Sequence, residues 1–178
     1  HRNYYHSYMP QPIIKSNEKK LIQEFTTILL GSLNKILRNI GNRQIVIPLS
    51  AGNDSRIIAS GFRKLGYENV ICFSYGRKGN FEVKTSEEVA RKLKYKWVYV
   101  QDNIKSKRAF FLSEVYNKYV EDFESFSSVP NVQDVYEIFE LKKLGIIDDD
   151  ALIISGNSGD FISGGHIPKG IEINKSSS

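Results

Sequence analysis

The sequence predicts an α/β fold, a parallel sheet doubly wound with helices on both faces. Short apolar runs recur at 45–49, 70–75, 96–100 and 151–154. Segments with apolar residues at helical spacing stand between them, and that alternation calls for right-handed crossovers and parallel strands. The first and last of these runs each lead straight into a glycine- and serine-rich stretch, at Ser50–Ser55 and at Ser155–Gly165. In open parallel sheets ligands bind outside the carboxyl ends of the strands, so both stretches are expected at one edge.

The 178 residues suit one domain with a core that needs no staples. Residues 1–16 are aromatic and polar, hold Pro10 and Pro12, and read as an irregular segment entering the domain at 17–170. The tail at 171–178 closes on serines and is expected to lack order. Ser16 or Asn17 caps a predicted helix over 18–38, with Leu21, Phe25, Ile28, Leu29, Leu33, Ile36 and Leu37 on its inner face. The helix after the first strand shows Ile57, Ile58, Phe62 and Leu65 inward and ends by Lys64, before Gly66. A basic turn follows the second strand. The helix at 82–94 turns Val83, Val89, Ala90 and Leu93 inward. After the third strand the pattern predicts one long helix over 105–123, a loop at 125–131 with Pro130, and a helix over 132–144 broken by Gly145.

In Ser50-Ala51-Gly52-Asn53-Asp54-Ser55 the chain passes from strand to helix through small and hydroxyl-bearing residues. Unpaired N–H groups and the positive dipole end at a helix start favour an anion. Ser50 and Ser55 bring hydroxyls, while Ala51 and Gly52 let a polyphosphate come close to the backbone. Asp54 would repel phosphate unless a cation such as Mg²⁺ lay between them, or it simply caps the helix. Both readings stand on these residues alone. No Walker pattern occurs.

Composition excludes some classes. The single Cys72 cannot form an internal bridge and fits a reducing cytoplasm, and His1, His6 and His166 lack metal-ligand spacing. No apolar run is long enough for a membrane span, and no signal peptide is evident, so a cytoplasmic location is expected. A net charge of +5 permits nucleic-acid binding without requiring it, and a polyanion such as ATP serves equally well. Nucleic acid is not among the expected partners.

The first loop resembles the pyrophosphate loop of N-type ATP pyrophosphatases, S-G-G-x-D-S, with Ala51 for the first glycine. The second, Gly156-Asn157-Ser158-Gly159-Asp160-Phe161-Ile162-Ser163-Gly164-Gly165, resembles the frame G-E-G-x-D-E-x-F-x-G-G, one residue shorter, and keeps its aspartate. Together they make the chain similar to the synthetase domain of the asparagine synthase family over 45–165. The resemblance implies a three-layer, Rossmann-like adenine-nucleotide alpha-hydrolase-like domain. It implies adenylation of a small carboxylate, aspartate or a sugar acid, with release of pyrophosphate. Ammonia, free or derived from glutamine, then displaces AMP. It implies ATP and Mg²⁺ as ligands, Ser50 to Ser55 around the pyrophosphate, and Asp54 and Asp160 as metal-binding catalytic residues. The backbone at Tyr75-Gly76 and Ser155-Gly156 would contact adenosine.

Asn157 and Phe161 replace the family's two glutamates, which removes an acidic group. The chain opens on His1 and is expected to be a piece of a larger enzyme: a glutaminase domain would precede it, and a helical part with a catalytic lysine would follow. Two other readings stay open, a tRNA-modifying enzyme with the same loop and a nucleotide-binding module without catalysis.

Overall fold

The computed structural model describes residues 17–157 other than 102, 124–129 and 131. The expected loop at 125–131 falls almost wholly outside them. So do the expected N-terminal segment, save its junction with the domain at residue 17, and the expected tail.

Four parallel strands form one sheet in the order β3-β2-β1-β4: β1 (Ile45–Pro48), β2 (Val70–Gly76), β3 (Lys96–Gln101) and β4 (Leu152–Ile153). Alternate residues of β1 face opposite ways, and each face is covered. Ile45 and Ile47 pack with Leu33 of α1 (Glu18–Ile40), Ala59 and Phe62 of α2 (Asn53–Lys64) and Ala90 of α3 (Phe81–Leu93). Val46, with Ile71 and Phe73 of β2, packs on the other side against Leu141 of α6 (Val135–Lys143) and Ile147. This is the doubly wound, three-layer arrangement that the alternating pattern predicts. Chain order reverses at β1, whose neighbours are β2 and β4, so the crevice for a ligand lies above their carboxyl ends.

Buried hydroxyls fix that edge. Ser74 of β2 donates to the Leu49 carbonyl at 2.6 Å, accepts from Trp97 Nε1 at 3.2 Å, and lies 2.6 Å from the Ser86 hydroxyl of α3. Ser74 thereby ties β2 to the residue where β1 turns into its loop, to the start of β3 and to α3.

The elements differ from expectation in four places. Only the second half of α1 is buried: Leu29, Leu33, Ile36 and Leu37 pack, whereas Leu21, Phe25 and Ile28 are exposed. The cause is length, since 23 residues of α1 lie against 12 of α2, roughly 34 Å against 18 Å at 1.5 Å per residue. Ile57 of α2 is exposed too, at the same end. The single helix expected over 105–123 is two, α4 (Ile104–Phe111) and α5 (Glu114–Asp122). Ser113 causes the break, its hydroxyl donating to the Phe110 carbonyl at 2.6 Å while accepting the Tyr116 N–H at 3.3 Å as the cap of α5. The turn sets Phe110 edge-to-face with Phe111, Tyr116 and Tyr136 and tilted against Phe139. The helix expected from Val132 starts at Val135, because Asp134 adopts a left-handed backbone, φ +65°. Finally β4 is two residues long, bonded on both flanks by Leu152 N–H to the Gln44 carbonyl and Ile154 N–H to the Val46 carbonyl.

Candidate functional site

At the switch point the β1–α2 loop folds on itself. Ser50 N–H donates to Ser55 Oγ at 3.1 Å, the two hydroxyls lie 3.1 Å apart, and Gly52 N–H donates to Ser50 Oγ at 3.1 Å. One hydroxyl proton joins the two oxygens and the other stays free for a ligand. Arg56 grips the loop from within α2, its guanidinium donating to the Gly52 carbonyl at 3.0 Å and to Asn53 Oδ1 at 2.6 Å. The cap of α2 is Gly52, and among the described residues no side chain bonds the first N–H groups of the helix. Asp54 therefore does not cap the helix, which removes one of the two readings its sequence position allowed. The free donors at Asn53, Asp54 and Ser55 are what an anion needs.

The loop leaving β4 comes down onto this helix start. A Cβ on Gly156 would stand 2.6 Å from the Ser55 nitrogen and 2.9 Å from the Asp54 carbonyl carbon, so only glycine fits. Asn157 Nδ2 then donates to Gln133 Oε1 at 3.2 Å, joining the β4 loop to the segment ahead of α6.

Between these parts lies a cleft of about 820 Å³. Of the residues singled out in the sequence, Ser50, Gly52, Asn53, Asp54, Ser55, Tyr75 and Gly156 line it. Ala51, Gly76 and Ser155 do not; the Gly76 carbonyl accepts the Tyr99 hydroxyl at 2.6 Å, and Ser155 Oγ accepts the Asn157 N–H at 3.4 Å. Asp160 lies outside the described residues, so its expected partnership with Asp54 stays an expectation. No group of three or more His, Cys, Asp or Glu that could hold a metal occurs among the described residues.

The cleft also takes in Gln133, Asp134, Asn157 and Glu82. Gln133, Asp134 and Glu82 were not recognised in the sequence as site residues. The available signal is topological: a helix crossing back over a parallel sheet starts at the sheet's carboxyl edge, so polar residues just before or within its first turn border the ligand crevice. Asp134 is 6% exposed and hydrogen-bonds to Tyr75, whose ring carries Lys107 Nζ at 4.9 Å from its centre. Lys107 pairs with buried Glu137 Oε1 at 2.6 Å. That contact, an ion pair, gives this otherwise unbonded oxygen its compensation. Burial raises the Asp134 carboxyl above the usual carboxylate range; Glu137 adds to this, while the Tyr75 hydroxyl and Lys107 oppose it. Burial first, and Asp134 second, also hold the Tyr75 phenol well above its ordinary value.

No protein-family model matches the chain, and no curated protein matches it. Among solved structures it is similar to an NH3-dependent NAD synthetase from Campylobacter jejuni, at 18% identity and TM-score 0.54, over 80% of this chain and 59% of that one. It also matches an NMN synthetase from Francisella tularensis, at 20% identity and TM-score 0.42, over 58% of this chain and 41% of that one. A predicted subunit of a tRNA methyltransferase from Methanocaldococcus jannaschii matches at 22% and 0.36, over 64% and 52%. The first likeness is one of fold: the chain has the adenine-nucleotide alpha-hydrolase-like architecture. The chain spans 59% of the length of that synthetase.

Proposed function

We propose that this chain is the ATP-binding domain of an AMP-forming ligase that adenylates a carboxylate and releases pyrophosphate. The observation that carries the reading is the meeting of two glycine- and serine-rich loops at the switch point, Gly156 against the backbone of Asp54 and Ser55. The cleft's charge supports it. Asp54, Glu82 and Asp134 line it with no Lys or Arg among the described lining residues, so a triphosphate needs a cation to enter. Asp54 would hold Mg²⁺, which when bound neutralises phosphate charge; one carboxylate completed by phosphate oxygens is an ordinary magnesium set.

The chain's own residues hold the reactants. The carboxylate oxygen of the acceptor attacks the α-phosphorus, the bond from that phosphorus to the oxygen bridging to the β-phosphate breaks, and its electron pair leaves with pyrophosphate. N–H groups of Asn53 to Ser55 and the free seryl proton stabilise the charge that grows on the leaving oxygens. In the finer form the enzyme is an asparagine synthase-like amidotransferase: ammonia, free or derived from glutamine, displaces AMP, and the acceptor is aspartate or a sugar acid. A second reading, a nucleotide-binding module without catalysis, draws on Asn157, an amide bonded to Gln133 where the resembling family has a carboxylate.

Calorimetry of MgATP binding with ATP–pyrophosphate exchange tests the proposal. Binding is expected to vanish on chelation of Mg²⁺ and to weaken in Asp54→Asn. If a folded Gly52→Val variant binds ATP as tightly as wild type, the loop is not the pyrophosphate site. Binding without exchange in the presence of candidate acids favours the second reading.

A further inference from the structure

Asp134 stands at the cap position of α6, where an aspartate ordinarily accepts a backbone N–H of the first turn, yet its side chain makes no such bond. Its backbone is held at φ +65°, a left-handed conformation that Asp adopts more readily than most residues with a Cβ. The carboxyl is turned instead to the Tyr75 hydroxyl on the wall of the cleft, where Gln133 adjoins it. A carboxylate offers about four acceptor positions, and one phenol occupies one of them. Behind the wall, Glu137 and Lys107 are, among the described residues, the charged groups acting on Asp134, so both buried acids lie near the same ammonium. A wall short of positive charge and rich in acceptors suits a ligand group that brings N–H bonds.

We propose that Asp134 is the specificity-determining acceptor of this cleft and recognises a nitrogen donor on a bound substrate, either the exocyclic amine of the nucleobase or an ammonium on the carboxylate acceptor. The inference rests on the ATP-ligase reading. Burial makes the bare anion costly, which the raised Asp134 carboxyl reflects, and an N–H donor from a ligand would supply compensation beyond what Tyr75 and Lys107 give. Glu82 is the weaker candidate, because it lies in the exposed first turn of α3.

The test uses the whole chain in two arms. One measures affinity for MgATP and for MgITP, in which a carbonyl replaces the amine. The other measures, at saturating MgATP, the affinity for L-aspartate and for L-malate, in which a hydroxyl replaces the ammonium. Asn is at home in the left-handed region, so Asp134→Asn keeps the backbone while replacing half the acceptor by a donor. Asp134→Gly removes the carboxyl and relieves the backbone, and thermal melting checks that it folds. Both variants are expected to lower the amine preference in one arm by on the order of tenfold, and the arm that responds names the source. If ATP binds and both variants keep the wild-type ratios in both arms, the inference is overturned. If wild type binds no ATP, the ligase reading fails and this inference with it.

Discussion

The two walls of the cleft are built from different materials. One is main chain: the 50–55 loop and Gly156 meet backbone to backbone, and what matters is that nothing occupies the gap. The other is side chain: Tyr75 of β2 and Asp134 ahead of α6 line it, and Lys107 of α4 with Glu137 of α6 brace them from behind through a ring contact and an ion pair. Away from Asp54, the first wall answers to size and is indifferent to charge. The second answers to charge and tolerates size. A substitution that is silent on one side should therefore be severe on the other.

The largest effect is expected at Lys107. Lys107→Met keeps the stem and removes the ammonium, leaving Glu137, 3% exposed, without its 2.6 Å partner. Breaking a buried pair from one side costs about 3–5 kcal/mol. Urea unfolding of the single variant and of Lys107→Met with Glu137→Leu measures it, and the double variant should recover most of the loss. A single-variant loss below about 1 kcal/mol, the worth of a surface pair, would mean that charge does not hold this wall.

On the main-chain wall the largest loss is expected at Gly156. In Gly156→Ala the new methyl meets the Ser55 nitrogen at 2.6 Å, and backbone cannot step aside as a side chain can. Overpacking of this kind costs about 1–3 kcal/mol, and parting the two loops should weaken MgATP binding in the same variant. Gly52→Ala is the milder counterpart. Its Cβ would meet only the Ser50 hydroxyl, at 3.1 Å, and φ −67°, ψ 153° suit any residue. Stability should fall by less than about 1 kcal/mol, with ATP affinity reduced through the displaced hydroxyl. If the two alanines behave alike in melting and titration, the close approach of the loops is not what shapes this wall.

That division also decided what the sequence could reveal. The main-chain wall is written in consecutive residues, Ser50 to Ser55 and Ser155-Gly156, because tight turns and close approaches restrict residue type at adjacent positions. The strands and their parallel order were legible for a similar reason, as apolar runs alternating with helical spacing. The side-chain wall is spread over Tyr75, Lys107, Asp134 and Glu137, and nothing local marks residues that meet only in the fold. Asp134 was concealed further, since the sequence places it inside the helix expected over 132–144, where a polar residue reads as an ordinary solvent-facing one. The break at Ser113 was missed because apolar spacing runs through it, and a serine cap inside such a pattern looks like a tolerated helix residue. The exposed start of α1 was missed because periodicity shows which face is apolar and not whether a partner reaches it.

The smallest effect is a pH dependence, and it bears on which force governs the side-chain wall. Burial raises the folded-state Asp134 carboxyl, with Glu137 in the same direction and Tyr75 and Lys107 against it. In the unfolded chain an aspartate ionises near 3.9. As pH rises past that value the unfolded chain gives up this proton while the folded chain still holds it. The folded state then binds more protons, so stability falls with rising pH until the folded carboxyl ionises as well. Other carboxylates impose their own trends, and the useful quantity is the difference between wild type and Asp134→Asn, which cannot titrate there. Urea midpoints of both from pH 3 to 7 should show wild type losing ground to the variant as pH increases. A gain instead would mean that Lys107 and Tyr75 outweigh burial and hold the acid ionised. Repeating the series with MgATP, and with MgATP plus L-aspartate, sharpens the comparison: whichever seats a nitrogen donor on Asp134 compensates the anion, draws the folded carboxyl back down, and should flatten the decline.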